Sequence, residues 1–146
     1  MILYLDTSAL LKKYFKEVGS NEIITNWREA KGIVTSTVAY AEALASIHRK
    51  KREIGFDNGM FGKILDLFKR DWNSFIRVEV TDELNEWIDK MVSRHPLRGF
   101  DSIHLASALI VHDRLSEKFL FACYDNELLQ AAQMEGLETL PERIDS

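Results

Sequence analysis

Four carboxylates in this sequence stand alone in apolar runs, where a charged group needs a partner. Each is the only Asp, Glu, Lys or Arg of its run: Asp6 in residues 1–11, Glu42 in 33–47, Asp101 in 99–112 and Asp125 in 119–126. An ionised carboxylate in a low-dielectric environment is strongly destabilising unless it is protonated, ion-paired or bound to a cation. Clustered carboxylate oxygens are the ligands that Mg²⁺ and Mn²⁺ prefer. The pattern therefore predicts that the four residues share one divalent-metal site.

A structural explanation competes with this one for three of the four residues. Asp6, Asp101 and Asp125 each precede or open an apolar helical pattern, where a carboxylate can simply cap free backbone amides. Capping alone does not explain Glu42, because we expect it inside a helix and its neighbours three and four residues away carry no charge. Glu42 is therefore the residue that most favours a functional site over a structural role.

Other chemistries find little support in the sequence. With Cys123 as the one cysteine, a multi-thiolate zinc site is excluded. His104 follows Asp101 by three residues in an apolar stretch, which favours a buried core histidine over a ligand. A phosphatase of the haloacid dehalogenase type needs a second Asp two residues after the first, where this chain has Ser8. The chain has no P-loop, GxGxxG or GxSxG motif, and Ser8 has no evident histidine to activate it.

Composition predicts one globular domain over residues 1–146. The 146 residues are 46% hydrophobic and 29% charged, with no apolar run long enough to span a membrane and no leader-like start. Together with the lone cysteine, these features favour a soluble, cytoplasmic protein. A net charge of −4 argues against a nucleic-acid binder that relies on overall charge, so any such binding needs a local patch.

One basic run offers such a patch. Arg49, Lys50, Lys51 and Arg52 end the predicted helix that carries Glu42, and RNA contact is one interpretation of them. The other is a solvated helix C-terminus, where cations are favoured by the helix dipole.

Strand-like and helix-like patterns alternate along the chain. We predict strands at 2–5, 33–36, 76–80 and 119–123, with a possible edge strand at 137–140, and helices at 8–15, 20–30, 37–52, 61–68, 82–94, 101–115 and 126–135, with turns at 55 and 57–59 and a loop at 95–99. Strands separated by helices of this length indicate a mainly parallel sheet, in which ligands bind beyond the carboxyl ends of the strands. This places the four carboxylates at one edge of the sheet.

The residues around these carboxylates resemble a known family. The blocks YLDTSALLKKY (4–14), STVAYAEAL (36–44), LRGFDSIHLASAL (97–109) and YDNELLQAA (124–132) are similar to those of the PIN-domain ribonucleases, especially the VapC-type toxins of prokaryotic toxin–antitoxin pairs. The resemblance covers nearly the whole chain in the right order and spacing. One departure is Phe100, which stands before Asp101 where many relatives have a small residue, and which we expect to crowd the start of that helix.

The resemblance implies a three-layer α/β/α sandwich with a mainly parallel central sheet of four to five strands. It also implies an endoribonuclease that depends on Mg²⁺ or Mn²⁺, bound by the four carboxylates and supported by Thr7, Ser8 and Asn126. The partners that it implies are an RNA substrate, a small antitoxin protein that covers the site and a second copy of the chain. A nuclease that processes RNA outside a toxin–antitoxin pair and a non-catalytic RNA- or protein-binding scaffold remain as alternatives.

Dimerisation also has an argument from the residues themselves. Several aromatic residues of the first half exceed the apparent needs of a core of this size. They are Tyr14, Phe15, Phe56, Phe61 and Phe68. We therefore expect helices of the first half to form an apolar interface between two copies.

Overall fold

A computed structural model describes residues 1–144 and contains a five-stranded sheet in which every pairing is parallel. The strands are β1 (Ile2–Leu5), β2 (Gly32–Ser36), β3 (Ile76–Val78), β4 (Phe119–Ala122) and β5 (Glu138–Leu140), in the spatial order β3-β2-β1-β4-β5. The edge strand predicted near the C-terminus is thereby confirmed. All five carboxyl ends lie at one edge of the sheet.

Seven helices connect these strands within residues 1–144. They are α1 (Thr7–Leu11), α2 (Ser20–Glu29), α3 (Ala39–Ile54), α4 (Asn58–Ser74), α5 (Asp82–Arg94), α6 (Gly99–Arg114) and α7 (Asn126–Met134). None of them is long and apolar enough to cross a membrane.

The alternation of side chains along β1 creates the three layers. Leu3 and Leu5 join a core cluster with residues of α1, α2, α3 and α4. Ile2 and Tyr4 point to the other face and join a cluster with residues of α5, α6 and α7. Because β1 is central and covered on both faces, its sequence is continuously apolar, as is typical of a buried parallel strand. The predicted α/β/α sandwich is confirmed.

Several predicted boundaries differ from the structure. The Asp57–Gly59 segment, predicted as a turn, begins α4 instead, because the Asp57 carboxylate caps that helix by accepting a bond from the Met60 backbone N–H at 2.8 Å. Helix α1 ends at Leu11 rather than near residue 15, and β3 ends at Val78 rather than residue 80. Helix α6 begins two residues before Asp101, at Gly99.

The aromatic residues that suggested a dimer interface are used inside the chain. Tyr14 and Phe68 are buried, while Phe15, Phe56 and Phe61 pack against the same core cluster. The expectation of surplus aromatic surface in the first half is therefore wrong, since α3 and α4 need these rings to fill their own interface.

A part-buried ion pair fixes the turn after α1 against α4. The Oδ2 atom of Asp71 accepts bonds from Lys13 Nζ at 2.6 Å and from the Tyr14 hydroxyl at 2.7 Å. Both donors lose their partner if the carboxylate is removed, and an unsatisfied buried donor is destabilising.

We predict that Asp71→Ala lowers the free energy of unfolding by about 1–3 kcal/mol. Urea denaturation followed by circular dichroism measures the change. Asp66→Ala, at an exposed position on the same helix, is the matched control and should change stability little. Equal stability of the two variants would show that the Asp71 contacts contribute nothing.

Candidate functional site

One cavity of about 810 Å³ brings all four predicted carboxylates together. Asp6 and Asp125 follow the carboxyl ends of β1 and β4, and Glu42 and Asp101 lie in the first turns of α3 and α6. The expected common edge of the sheet is therefore observed. The fold converts four positions that are distant in sequence into the lining of one cavity.

Asp6 is buried, and its geometry is fixed by the helix that it caps. Its side chain is the N-cap of α1, where Oδ1 accepts bonds from the Ala9 backbone N–H at 2.8 Å and from the Ser8 hydroxyl at 2.7 Å. Burial raises the pKa of Asp6 to about 6, although these two bonds and nearby His104 act in the opposite direction. Asp6 thus has both the capping role and the location of a site residue.

Glu42 is held by side chains from outside its own helix. Its Oε1 accepts a bond from the Thr7 hydroxyl at 2.6 Å and lies 2.9 Å from Nε2 of His104. Burial alone would raise the pKa of Glu42, but the hydrogen bonds from His104 and Thr7 outweigh it and lower the pKa overall. Glu42 is consequently kept ionised and oriented.

His104 connects this carboxylate to the protein interior. Its side chain is buried, with Nδ1 2.8 Å from the Tyr4 hydroxyl and Nε2 facing Glu42. An imidazole protonated on Nε2 donates to Glu42 and accepts from Tyr4, so both ring nitrogens are satisfied. The interpretation of His104 as a core histidine is confirmed. Its role in holding Glu42 was not predicted, and only its three-residue spacing from Asp101 hinted at it.

Asp101 lies half-buried in the first turn of α6, which has Arg98 as its N-cap. Burial raises the pKa of Asp101, and the negative charge of Asp125 raises it further. The side chain of Asp101 does not cap α6, so the structural alternative considered for this residue loses its basis. Phe100 is 57% exposed at the rim of the cavity, so the expected crowding of the helix start is wrong.

Asp125 is exposed and caps α7 by accepting a bond from the Leu128 backbone N–H at 2.9 Å. The expectation that all four carboxylates occupy low-dielectric surroundings is therefore wrong for this residue. The apolar run before it belongs to β4, which is buried, whereas the chain reaches the surface immediately afterwards.

The predicted supporting residues divide into two groups. Thr7 and Ser8 line the cavity, with Ser8 donating to Asp6 and accepting from the Tyr124 backbone N–H at 3.1 Å. Asn126 is exposed and does not line the cavity.

The basic run does not line this cavity either. Arg49 and Arg52 are exposed at the other end of α3, about 10–15 Å along the helix from Glu42. Lys51 donates to the carbonyl oxygen of Phe56, which follows that helix.

An apolar wall completes the cavity. It is formed by α5, α6 and the segment before α5, with Val80, Ile88, Val92, Phe100 and Ile103 in its lining. Val80, Val92 and Phe100 are exposed large hydrophobic residues. Sequence patterns did not predict this wall, because its residues come from two helices and a connecting segment that only the fold brings together.

The four acidic residues are not gathered into a ready coordination shell. Among residues 1–144, no group of three or more His, Cys, Asp or Glu side chains is arranged to hold a metal ion. Hydrogen bonds hold Asp6, Glu42 and Asp125 in their separate local positions. The chemistry of the set nonetheless fits a divalent cation, since four carboxylates face one cavity and two have raised pKa values that a cation would lower.

Comparison with known proteins agrees with this geometry. The family model for the PIN domain matches residues 3–133. Two relatives from strains of Mycobacterium tuberculosis, Ribonuclease VapC45 (CDC 1551 / Oshkosh) and Ribonuclease VapC49 (H37Rv), are each 29% identical over 148 residues, covering 99% of this chain and 98% of the relative.

Solved structures share the fold. VapBC2 from Rickettsia felis, bound to a DNA fragment from its promoter, has a TM-score of 0.65 at 11% identity, covering 95% of this chain and 97% of that one. FitAcB from Neisseria gonorrhoeae has a TM-score of 0.66 at 11% identity, with coverage of 95% and 96%. PAE2754 from Pyrobaculum aerophilum has a TM-score of 0.61 at 22% identity, with coverage of 97% and 85%.

We predict that Asp6→Asn stabilises the metal-free protein at neutral pH. The folded-state pKa of about 6 exceeds the ordinary value of 3.8, so the stability linked to Asp6 is full below about pH 4 and is lost as pH rises through 6. Asparagine does not titrate and can still accept the capping bonds, so the gain should approach about 3 kcal/mol above pH 7.

Denaturation in EDTA at pH 4 and at pH 7.5 measures this dependence. Asp57→Asn is the matched control, because Asp57 is an exposed N-cap with the same kind of backbone bond. A gain for Asp6→Asn that is equal at the two pH values would contradict the prediction.

Proposed function

The chain belongs to the PIN domain family, and from this membership we propose that it is a divalent-metal-dependent endoribonuclease that acts as the toxin of a toxin–antitoxin pair. The observation that carries the proposal is the convergence of Asp6, Glu42, Asp101 and Asp125 on one cavity. The two relatives named as ribonucleases support it over nearly their whole length.

In this proposal the four carboxylates hold Mg²⁺ or Mn²⁺. A bound divalent ion supplies Lewis acidity, which lowers the pKa of water and offsets the charge that develops on a phosphodiester. Asp6 and Asp101 are the first-choice ligands, and Glu42 and Asp125 complete the set directly or through water.

The protein's own groups orient the reaction. Thr7 and His104 both engage Oε1 of Glu42, which leaves Oε2 to orient the attacking water or accept its proton. Asp125, exposed at the mouth of the cavity, is the other candidate for this step. Water attacks phosphorus, the bond from phosphorus to the 3′ oxygen breaks, and that oxygen leaves as a hydroxyl after gaining a proton.

A non-catalytic RNA- or protein-binding scaffold explains the four carboxylates less well. Asp6 is an ionisable group held in a buried position that raises its pKa, which reduces stability at neutral pH. A protein that only bound a partner would gain stability by losing this charge. An RNA-processing nuclease outside a toxin–antitoxin pair would use the same chemistry, so only partner identity separates it from the toxin.

The proposed partners are RNA, a small antitoxin and a second copy of the chain. The exposed wall residues Val80, Val92 and Phe100 beside the carboxylates offer an apolar surface for the antitoxin. Arg49, Lys50, Lys51 and Arg52 remain the proposed RNA contacts. The homodimer rests on the family resemblance alone, because the aromatic residues of the first half pack inside the chain. The cytoplasmic location rests on the composition and the single cysteine.

The decisive experiment is RNA cleavage by the purified chain with Mg²⁺ or Mn²⁺ and with EDTA. We expect cleavage only with metal, and a decrease of about a hundredfold or more in Asp101→Asn, which removes a ligand charge while keeping the shape. Asp113→Asn, exposed in the last turn of the same helix, should retain activity. Full cleavage in EDTA, or by the Asp101→Asn variant, would overturn the proposal.

A second prediction concerns the hydroxyl that orients Glu42. Thr7→Val keeps the side-chain shape but removes the bond to Oε1, so kcat should fall by roughly tenfold. Thr7→Ser keeps the donor and should restore most of the activity. Cleavage kinetics measures both, with thermal melts to establish that the variants remain folded. Equal activity of the Val and Ser variants would count against an orienting role.

A further inference from the structure

A second cavity, of about 360 Å³, adjoins the acidic one and shares Ser8 with it. Its lining carries more positive than negative side chains, with three cations and two carboxylates. These residues are Lys12, Arg49 and Lys50 against Glu17 and Glu53. We refer to it as the Lys12 groove.

Lys12 is an unusually buried cation. It is 8% exposed, and its Nζ lies 4.4 Å from the centre of the Tyr124 ring. Its ion-pair partner, Glu17, is 3.9 Å away, which is too far for a hydrogen bond. Lysine is almost never this buried without a close anionic partner, so the groove contains a positive charge that is only partly balanced.

Tyr124 lines the Lys12 groove and is bonded to Ser8, the residue that the two cavities share. Its backbone N–H donates to Ser8, and it directly precedes Asp125. Its ring lies so close to Gly19, where φ is +93°, that an added Cβ would be 2.7 Å from it. Tyr124 therefore connects the buried Lys12 in the groove to Ser8 and Asp125 in the acidic cavity.

Helix α3 contributes to both cavities. Its first turn carries Glu42 into the acidic one, and its later turns carry Arg49 and Lys50 into the Lys12 groove. Within residues 1–144 neither cation forms an ion pair, and Lys50 Nζ lies 5.0 Å from the Phe15 ring. These charges are available to an anion.

We propose that the Lys12 groove binds a backbone phosphate of single-stranded RNA next to the phosphate that is cut. This inference rests on the proposed nuclease function. Four carboxylates repel a polyanion, so a substrate that reaches them needs cations on its flank. A basic groove beside an aromatic ring is the usual arrangement for following a single strand. Lys12, Arg49 and Lys50 therefore position the substrate, and the carboxylates of the acidic cavity perform the chemistry.

The test is the affinity for a fluorescently labelled single-stranded RNA of random sequence, measured by anisotropy in EDTA over a range of salt concentrations. Lys12→Met and Arg49→Gln should each weaken binding by roughly three- to tenfold and lower the slope of log affinity against log salt by about 0.7. In the metal-loaded cleavage assay the same variants should raise KM and leave kcat within about twofold.

Lys16→Met and Arg28→Gln are the matched controls, because both residues lie outside the two cavities and lose the same charge. Unchanged affinity of Lys12→Met and Arg49→Gln, or an equal loss in the controls, would overturn the proposal. If Lys12→Met unfolds, Arg49→Gln at its exposed position decides alone.

The two proposals can fail separately. If Lys12→Met and Arg49→Gln selectively lose RNA binding but the original protein shows no metal-dependent cleavage, RNA binding by the Lys12 groove is supported and the nuclease assignment is refuted. Metal-dependent cleavage with unchanged KM in both variants would support the nuclease assignment and refute RNA binding by the Lys12 groove.

Discussion

The contact between Tyr4 and His104 joins the interior of this protein to its acidic cavity. Tyr4 is fully buried in the central strand, where its ring stacks on Phe121 with centroids 5.3 Å apart. Its hydroxyl fixes the imidazole of His104, and that imidazole fixes Glu42. The position of a solvent-facing carboxylate is thus set by the packing of the sheet. A change in the core at Tyr4 would be transmitted to the cavity through two hydrogen bonds.

The acidic residues are kept at one edge of the sheet by devices that ordinary folding provides. Asp6 and Asp125 each cap the helix that follows a strand, so backbone amides offset part of the cost of their charge. Asp101 has no such bond, and its pKa is raised by burial and by Asp125. The four carboxylates are therefore stabilised to different extents. Asp6 and Asp125 accept bonds from backbone amides, and Glu42 accepts bonds from side chains. Asp101 has the repulsion of its acidic neighbours without such bonds. A bound cation would offset this repulsion most directly at Asp101.

The parallel sheet and the common edge of the carboxylates could be predicted, because they follow from periodicity and from the rules of strand connection. The three layers were predicted from the family resemblance. Prediction from the sequence failed where one residue type is common in two kinds of local structure. Asp57, Asn58 and Gly59 are typical of a turn, but an Asp before a helix is also a cap, and nothing local separates the two. The exposure of Asp125 was missed because its apolar neighbours belong to the strand before it. The pairing of Glu42 with His104 joins distant segments, and so does the sharing of Ser8 by two cavities. Such contacts leave no signal in a local pattern.

The acidic cavity draws on segments that are far apart in the sequence. Asp6 is synthesised well before Asp125 and before the strand β4 that pairs with β1. Before β4 and the residues after it emerge, the central strand lacks one of its two neighbours and the cavity lacks Asp125. For a protein proposed to cut RNA, a chain that has not yet reached β4 therefore cannot assemble the complete acidic site. The order of residues along the chain makes assembly of this site a late event relative to synthesis of Asp6.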